Sequence, residues 1–419
     1  MTGISLGYGE EQIALAVRKS NLIGVVDIDV PVNLPDPQKM IADALNNPVG
    51  SLPLGQLAQA KAAKSALVIV NDITRPTPYN MILPPLLQEL RNAGIPDEAV
   101  TLLVATGIHR AHTDAENQKL YSPEVCKRYR VISHNCDDDV VAIGNLNDGT
   151  PLAINRLVKE HDLLITTGLI GLHYFAGYSG GRKSILPGIA SRELIATNHA
   201  MMIDDRCRLD NIEDNPVHKI MVEAGRLAEV DFIINVVTDA HGHLAAVVAG
   251  DLLAAWEQGV AISRRLSTVT ISEPAAIVVA SCGGFPKDLN LYQAQKALDG
   301  AALAVKPGGC IILLAECREG LGEETFERWI NEAACPQDIE ERVHKHFELG
   351  GHKAFAISRL TQKAKIILVS SLQPELVTKC FLHPADDLEQ ALQMAWESQG
   401  AEARVLVMPH AANVAIRIG

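Results

Sequence analysis

The sequence predicts an α/β protein of two domains with mostly parallel sheets. Short apolar runs recur along the chain, at 66–70, 99–105, 162–167, 275–281, 309–315, 365–370 and 403–408. Helical stretches separate them, and continuous apolar strands alternating with helices read as parallel sheets covered on both faces. Length agrees: 419 residues, at roughly 100–200 per domain, give two or three domains.

Taken in order, Ala66-Leu-Val-Ile-Val is a strand ending at Asn71–Asp72, and a helix follows near 79–93. The strand at 99–105 ends at Thr106–Gly107, and that at 162–167 ends at Gly168. Residues 230–237 and 243–249 are two further strands, and 251–265 a helix. A second set opens with the strand 275–281 and a helix near 289–303. It continues with a strand at 309–315, helices near 323–346 and 351–362, and a strand at 365–370. A helix at 385–398 and a strand at 403–408 close it. The boundary falls near 268–274, giving domains 1–270 and 271–419. In such sheets ligands bind beyond the carboxyl ends of the strands.

Composition narrows the function. Net charge is −13, aromatics are 4%, and no Lys/Arg cluster exceeds two residues. Nucleic-acid binders carry a basic face, often with stacking aromatics, so nucleic acid and anionic membranes are excluded as main partners. The eight cysteines form no CxxC and read as reduced thiols. The N-terminus has no signal-peptide pattern, and no apolar run approaches the roughly 20 residues of a membrane span. A cytoplasmic protein is expected.

The segment 168–199 is the richest. It holds Gly168, Gly171, Gly177, Gly180, Gly181 and Gly188, the density of a loop whose backbone approaches a ligand. A P-loop is excluded, because the glycine that must precede Lys is replaced by Arg182. Ser179–Lys183 can still cradle a phosphate with backbone N–H groups and two cations, or be a surface loop with a solvated Arg–Lys pair. His109, His173 and His199 sit in or near predicted strand ends, as acids, bases, metal ligands or structural hydrogen-bonders. Imidazole alone does not identify a metal. Asp72 and Arg75 form an internal ion pair, or Arg75 offers a planar fork to a carboxylate or phosphate. Ser281–Asp288 again follows a strand. Gln293 and Lys296 share one face of the next helix, as ligand groups or as a solvated face. His134 with Asp137–Asp139 reads as a loop and strand edge, and His241, His243, His344, His346 and His352 as surface residues.

Together these residues resemble the nickel-pincer-nucleotide-dependent lactate racemases and related 2-hydroxyacid racemases and epimerases. The resemblance rests on Asp72-x-Thr74-Arg75-Pro76, Thr106-Gly107-x-His109-Arg110 and the stretch His173-Tyr-Phe-Ala-Gly-Tyr-Ser-Gly-Gly-Arg-Lys183. It continues through Pro187-Gly188, Asn198-His199 and Asn290-Leu-Tyr-Gln-Ala-x-Lys296. It implies an active site in the cleft between the two domains. Lys183 would carry the nickel-pincer nucleotide covalently, and His199 would be the protein ligand to nickel. His109 and His173 would be the paired acid/base residues. Asp72, Thr74, Ser179, Gly180, Gly181 and Arg182 would contact the cofactor, while Arg75, Gln293 and Lys296 would bind the hydroxyacid. The implied reaction inverts C2 of a small 2-hydroxy acid by proton-coupled hydride transfer, after maturation by cofactor-synthesis enzymes. Neither Trp329 nor Trp396 aligns with the Trp expected of lactate-acting members, which leaves lactate, malate, 2-hydroxyglutarate, phenyllactate and sugar acids open. Two other readings are a non-catalytic carrier or sensor of the nickel cofactor, and a Lys183 Schiff-base enzyme using pyridoxal phosphate.

Overall fold

The run Ala66-Leu-Val-Ile-Val forms the strand Ala66–Asn71, and all five apolar residues are buried. Burial on both faces is what a parallel sheet demands. The computed structural model describes residues 2–26, 34–239, 242–345, 347–348 and 350–419. The chain divides into two compact units, one of Val30–Leu266 and one of Met1–Asp29 with Ser267–Gly419.

The Val30–Leu266 unit is built on six strands in the order Leu244–Gly250, Phe232–Thr238, Leu163–Ile170, Ala66–Asn71, Val100–Ala105, Arg130–Ser133. All neighbours are parallel except Leu244–Gly250, which runs antiparallel to Phe232–Thr238. The chain runs outward from Ala66–Asn71 to Val100–Ala105 and Arg130–Ser133, then returns to place Leu163–Ile170 on the other side of Ala66–Asn71. Their carboxyl ends therefore form a topological switch point, where open α/β sheets take ligands. The helix Tyr79–Asn92 packs Tyr79, Ile82, Leu83, Leu86 and Leu90 into the same core as Val68 and Val70. Elsewhere in the unit Trp256 packs with Ile170, Ile233, Val237 and Val248.

In the other unit six strands run parallel in the order His383–Ala385, Lys365–Val369, Val305–Leu314, Ala275–Ser281, Val405–Met408, Leu22–Val25. An antiparallel hairpin, Thr2–Tyr8 with Glu11–Val17, belongs to this unit. Here the structure differs from the predicted 1–270 domain, because residues 22–25 pair with Val405–Met408. The stretch 323–346 is also two helices, Glu324–Glu332 and Pro336–Lys345, the second opening on a proline. Among the described residues no helix is long and apolar enough to cross a membrane, and all eight cysteines are free thiols.

Candidate active site

The first strand end presents Asp72 buried and Arg75 exposed. Asp72 Oδ2 lies 2.7 Å from His109 Nδ1. Its Oδ1 accepts from the Thr74 hydroxyl at 2.6 Å and the Thr74 N–H at 3.2 Å. Burial pushes the Asp72 carboxyl up, but the hydrogen bonds from His109 and Thr74, with the charges of His109 and Arg75, outweigh it and hold it below its usual value. Asp72 thus pairs with His109 rather than Arg75, and Thr74 holds the other oxygen of the same carboxylate. Arg75 donates to the Thr74 carbonyl at 3.4 Å. His109 is carried on the turn after Val100–Ala105, where its N–H reaches the Thr106 carbonyl at 2.9 Å and the Gly107 N–H donates to Gly188 O at 3.0 Å.

The next strand end turns back as a short hairpin, with Leu172–His173 paired to Gly177–Tyr178. At its tip Phe175 is 2% exposed. The His173 ring centroid is 4.6 Å from that of Phe175 and the His199 centroid 5.0 Å, while Lys183 Nζ lies 5.4 Å from the Phe175 centroid. One phenyl ring therefore gathers the three residues singled out in this segment. Each is half-buried by surface area, yet protein crowds each enough to penalise its charge. Burial, then the charges of Lys183, Arg75, His199 and Arg182, push His173 well below the ordinary imidazole value. Burial, then Arg182 and Arg75, push Lys183 well below that of an ordinary lysine. Burial and the Lys183 charge bring His199 to about 3, opposed by a hydrogen bond to the Ile195 carbonyl. All three are thereby shifted toward their uncharged forms.

Around Ser179, Gly180, Gly181 and Arg182, several polar groups are used inside the protein. Ser179 Oγ donates to Leu169 O at 2.7 Å and accepts from the Gly171 N–H at 3.0 Å. The Gly181 N–H goes to Asn235 Oδ1 at 2.6 Å, and the Lys183 N–H to Gly180 O at 3.2 Å. A Cβ on Gly180 would meet Asn235 Oδ1 at 2.7 Å, and one on Gly181 would meet Trp256 Cδ1 at 2.7 Å. The glycines thus serve close packing beneath the turn, and Arg182 is 1% exposed, turned inward. The clamps on this loop are scattered in sequence. Asn215 Nδ2 holds Phe175 O at 2.7 Å, and Tyr178 donates to Asp210 Oδ1 at 2.6 Å. Only the shared apolar and polar packing of the fold brings them together, and no sequence motif marks them.

In the other unit, Asn290 caps the helix Leu291–Ala304 by accepting the Gln293 N–H at 3.0 Å. Gln293 Oε1 accepts from Lys296 Nζ at 2.7 Å, and Lys296 is exposed. Behind this face buried Lys353 donates to Gln295 Oε1 at 2.6 Å. The Ser281–Asp288 segment is not an open ligand loop. Ser281 Oγ donates to Gly7 O at 2.6 Å, the Phe285 N–H to Gly9 O at 2.7 Å, and the Gly9 N–H to Asp288 Oδ2 at 2.6 Å, so the N-terminal hairpin turn fills that strand end. His352, expected at the surface, is 6% exposed and accepts the Gly350 N–H at 3.0 Å. His134 is likewise internal, bonded to Ala190 O and Asn155. His243 and His344 are exposed, whereas His241 and His346 lie outside the described residues. Among the described residues no group of three or more His, Cys, Asp or Glu is arranged to hold a metal ion.

Residues 8–210 match the family described as Lactate racemase N-terminal domain, and residues 270–416 match Lactate racemase C-terminal domain. The chain is 34% identical to a lactate racemase of Thermoanaerobacterium thermosaccharolyticum over 432 aligned residues, covering all of both chains. It is also 34% identical to a lactate racemase of Lactiplantibacillus plantarum over 428, again with full coverage. The solved lactate racemase apoprotein of T. thermosaccharolyticum superposes with a TM-score of 0.91 at 33% identity, covering 99% of this chain and 100% of that one. A Thermotoga maritima protein shares the fold at a TM-score of 0.63 and 20% identity, over 92% of this chain and 100% of its own. The chain belongs to the lactate racemase family of isomerases.

Proposed function

We propose that this protein inverts C2 of a 2-hydroxy acid, with lactate the first candidate, using a nickel-pincer nucleotide carried on Lys183. The observation that carries the reading is the gathering of His173, Lys183 and His199 around Phe175. The residues present fit the group. Burial beside Arg182 and Arg75 shifts Lys183 toward the free amine, the form that can be covalently acylated. Burial and the Lys183 charge hold the His199 imidazole in its neutral form, which can offer a ring-nitrogen lone pair to a metal. Beside it, both polar atoms of the buried Asn198 amide lack a protein partner, a costly arrangement that a bound group relieves. With no ligand cluster among the described residues, nickel would draw its other donors from the cofactor.

When bound, the cofactor would supply a hydride acceptor for C2 of the substrate. The chain's own residues do the rest. Arg75 pairs with the substrate carboxylate, and Gln293 and Lys296 are further candidates for binding the hydroxyacid. His109, its Nδ1–H donated to Asp72, takes the hydroxyl proton at Nε2. His173 accepts the Ala176 N–H at Nδ1 (3.3 Å), so in its neutral form the ring hydrogen sits on Nε2, where it donates to the substrate oxygen. To serve the opposite face, His173 releases the Ala176 N–H, takes a proton from solvent, and passes one proton to the substrate oxygen to return to neutral imidazole, while His109 gives the proton it took back to solvent. We place the enzyme in the cytoplasm, where eight free thiols stay reduced, matured there by cofactor-synthesis enzymes.

The test is intact mass with nickel analysis on protein produced alongside those enzymes. An adduct on Lys183 with about one nickel per chain, absent in Lys183→Ala, is the expected result. Unmodified, nickel-free wild-type protein with racemase activity would overturn the reading.

A further inference from the structure

We propose that Arg182 is a positioning residue for Lys183: Trp256 and His218 hold its guanidinium under the glycine turn, and that anchor sets where Lys183 emerges. The proposal rests on the reading of Lys183 as the residue that bears the cofactor.

The geometry is that of a clasp. Arg182 Nη2 donates to Ala176 O at 3.0 Å, at the start of the turn. Its Nη1 reaches Gly180 O at 3.2 Å and Ser179 O at 3.3 Å, at the end. Its Nε donates to His218 Nδ1 at 3.1 Å. The guanidinium carbon sits 3.9 Å from the Trp256 ring centroid, and the His218 ring stacks on the same Trp256 at 5.1 Å. Trp256 Nε1 donates to Ser179 O at 2.8 Å, so that carbonyl is held twice. Gly181, at φ +52°, lies against Trp256 where a side chain has no room. His218 is itself fixed, its N–H bonded at 3.1 Å to Asn215 Oδ1, whose amide also holds Phe175 O.

A planar fork with donors at fixed angles spans two ends of a turn in a way a flexible ammonium does not. An anion ligand needs its guanidinium facing a ligand. Here all three nitrogens have protein partners and the side chain is buried. The neighbour in sequence, Lys183, is therefore presented from a pre-formed turn beside a fixed positive charge, which also favours its free amine.

The test uses the apoprotein and trace isotope-coded acetic anhydride at neutral pH, with the labelling of Lys183 read by peptide mass against a reference amine. Released from the clasp, Lys183 loses the fixed neighbouring charge and part of its crowding, which favours its ammonium form. Arg182→Met and His218→Leu are expected to lower its labelling by roughly tenfold or more, the change in free amine for one unit of pKa. His218→Asn, which keeps an acceptor near the Nδ1 position, is expected to retain wild-type labelling. Should Arg182→Met fail to fold, His218→Leu carries the test. Unchanged labelling in folded His218→Leu overturns the proposal. So does protection of wild-type Lys183 by inorganic phosphate that Arg182→Met abolishes, since that would make Arg182 the anion ligand. Because no cofactor is needed, a missing cofactor adduct on Lys183 would count against the cofactor reading alone.

Discussion

Asp72 Oδ2 and His109 Nδ1 lie 2.7 Å apart, which makes the carboxylate the orienter of His109, the proposed acid/base residue. The hydrogen bond fixes Nδ1 as the donor and leaves Nε2 for the substrate proton. Asp72→Asn keeps the shape but can present its amide N–H to the ring, favouring the wrong tautomer. By analogy with other carboxylate-oriented histidines, kcat should fall roughly 10²–10⁴-fold. KM should change little, because Asp72 is buried and does not bind the carboxylate. Steady-state kinetics on loaded enzyme checks the split; a raised KM at constant kcat would place Asp72 in substrate binding instead.

Phe175 packs against His173, Lys183 and His199 at once. Leu preserves most of its volume, so Phe175→Leu should cost only about 1 kcal/mol of stability. It removes the flat faces that set the spacing of three functional groups. The expected outcome is a folded protein with a small loss in denaturant midpoint and a severalfold drop in nickel retained through dialysis. Full retention would make Phe175 a core residue and nothing more.

The sequence reveals the strand ends because parallel sheets force ligand chemistry there, and Asp72, His109 and His173 each follow a buried apolar strand. It does not reveal which polar residues face inward. Arg182 next to Lys183 reads as a second cation for an anion, and only the distant Trp256 and His218 show that it faces the protein. The N-terminal strands escape a local reading for a similar reason. Leu22–Val25 is short and half-exposed, and its partner, Val405–Met408, lies at the far end of the chain. Ser281–Asp288 resembles an open ligand loop until the same N-terminal segment is seen to fill it.

Arg75 is exposed, and its charge reaches both His173 and Lys183. If it holds the substrate carboxylate, Arg75→Ala removes a charged hydrogen bond of about 1.5–3 kcal/mol. That is a loss of roughly 10- to 100-fold in kcat/KM. Arg75→Lys should recover only part, because an ammonium cannot reproduce a bidentate fork. Kinetics with lactate and with its methyl ester separates the effects. An equal loss with both substrates would show that Arg75 acts on the site's own charges rather than on the carboxylate.

His218 accepts the Arg182 Nε–H, so protonating it would set two cations against each other. Burial, then the charges of Arg182 and Lys219, push its imidazole down to about 3. An unfolded chain restores a value near 6.5. Between these values the unfolded state binds a proton that the folded state refuses. Stability from this residue is therefore intact above about pH 6.5 and declines as pH falls below it. At pH 5 the deficit is 1.5 pKa units, about 2 kcal/mol. His218→Asn retains an acceptor for Arg182 and abolishes the titration. Urea unfolding at pH 7.5 and pH 5 should therefore show a smaller acid penalty in the variant, by about 2 kcal/mol. The other histidines with lowered imidazoles, His134, His173 and His199, are common to both proteins, contribute equally and cancel in the difference. An identical penalty in variant and wild type would mean that His218 is protonated within the fold, and that its bond to Arg182 is not what holds the turn.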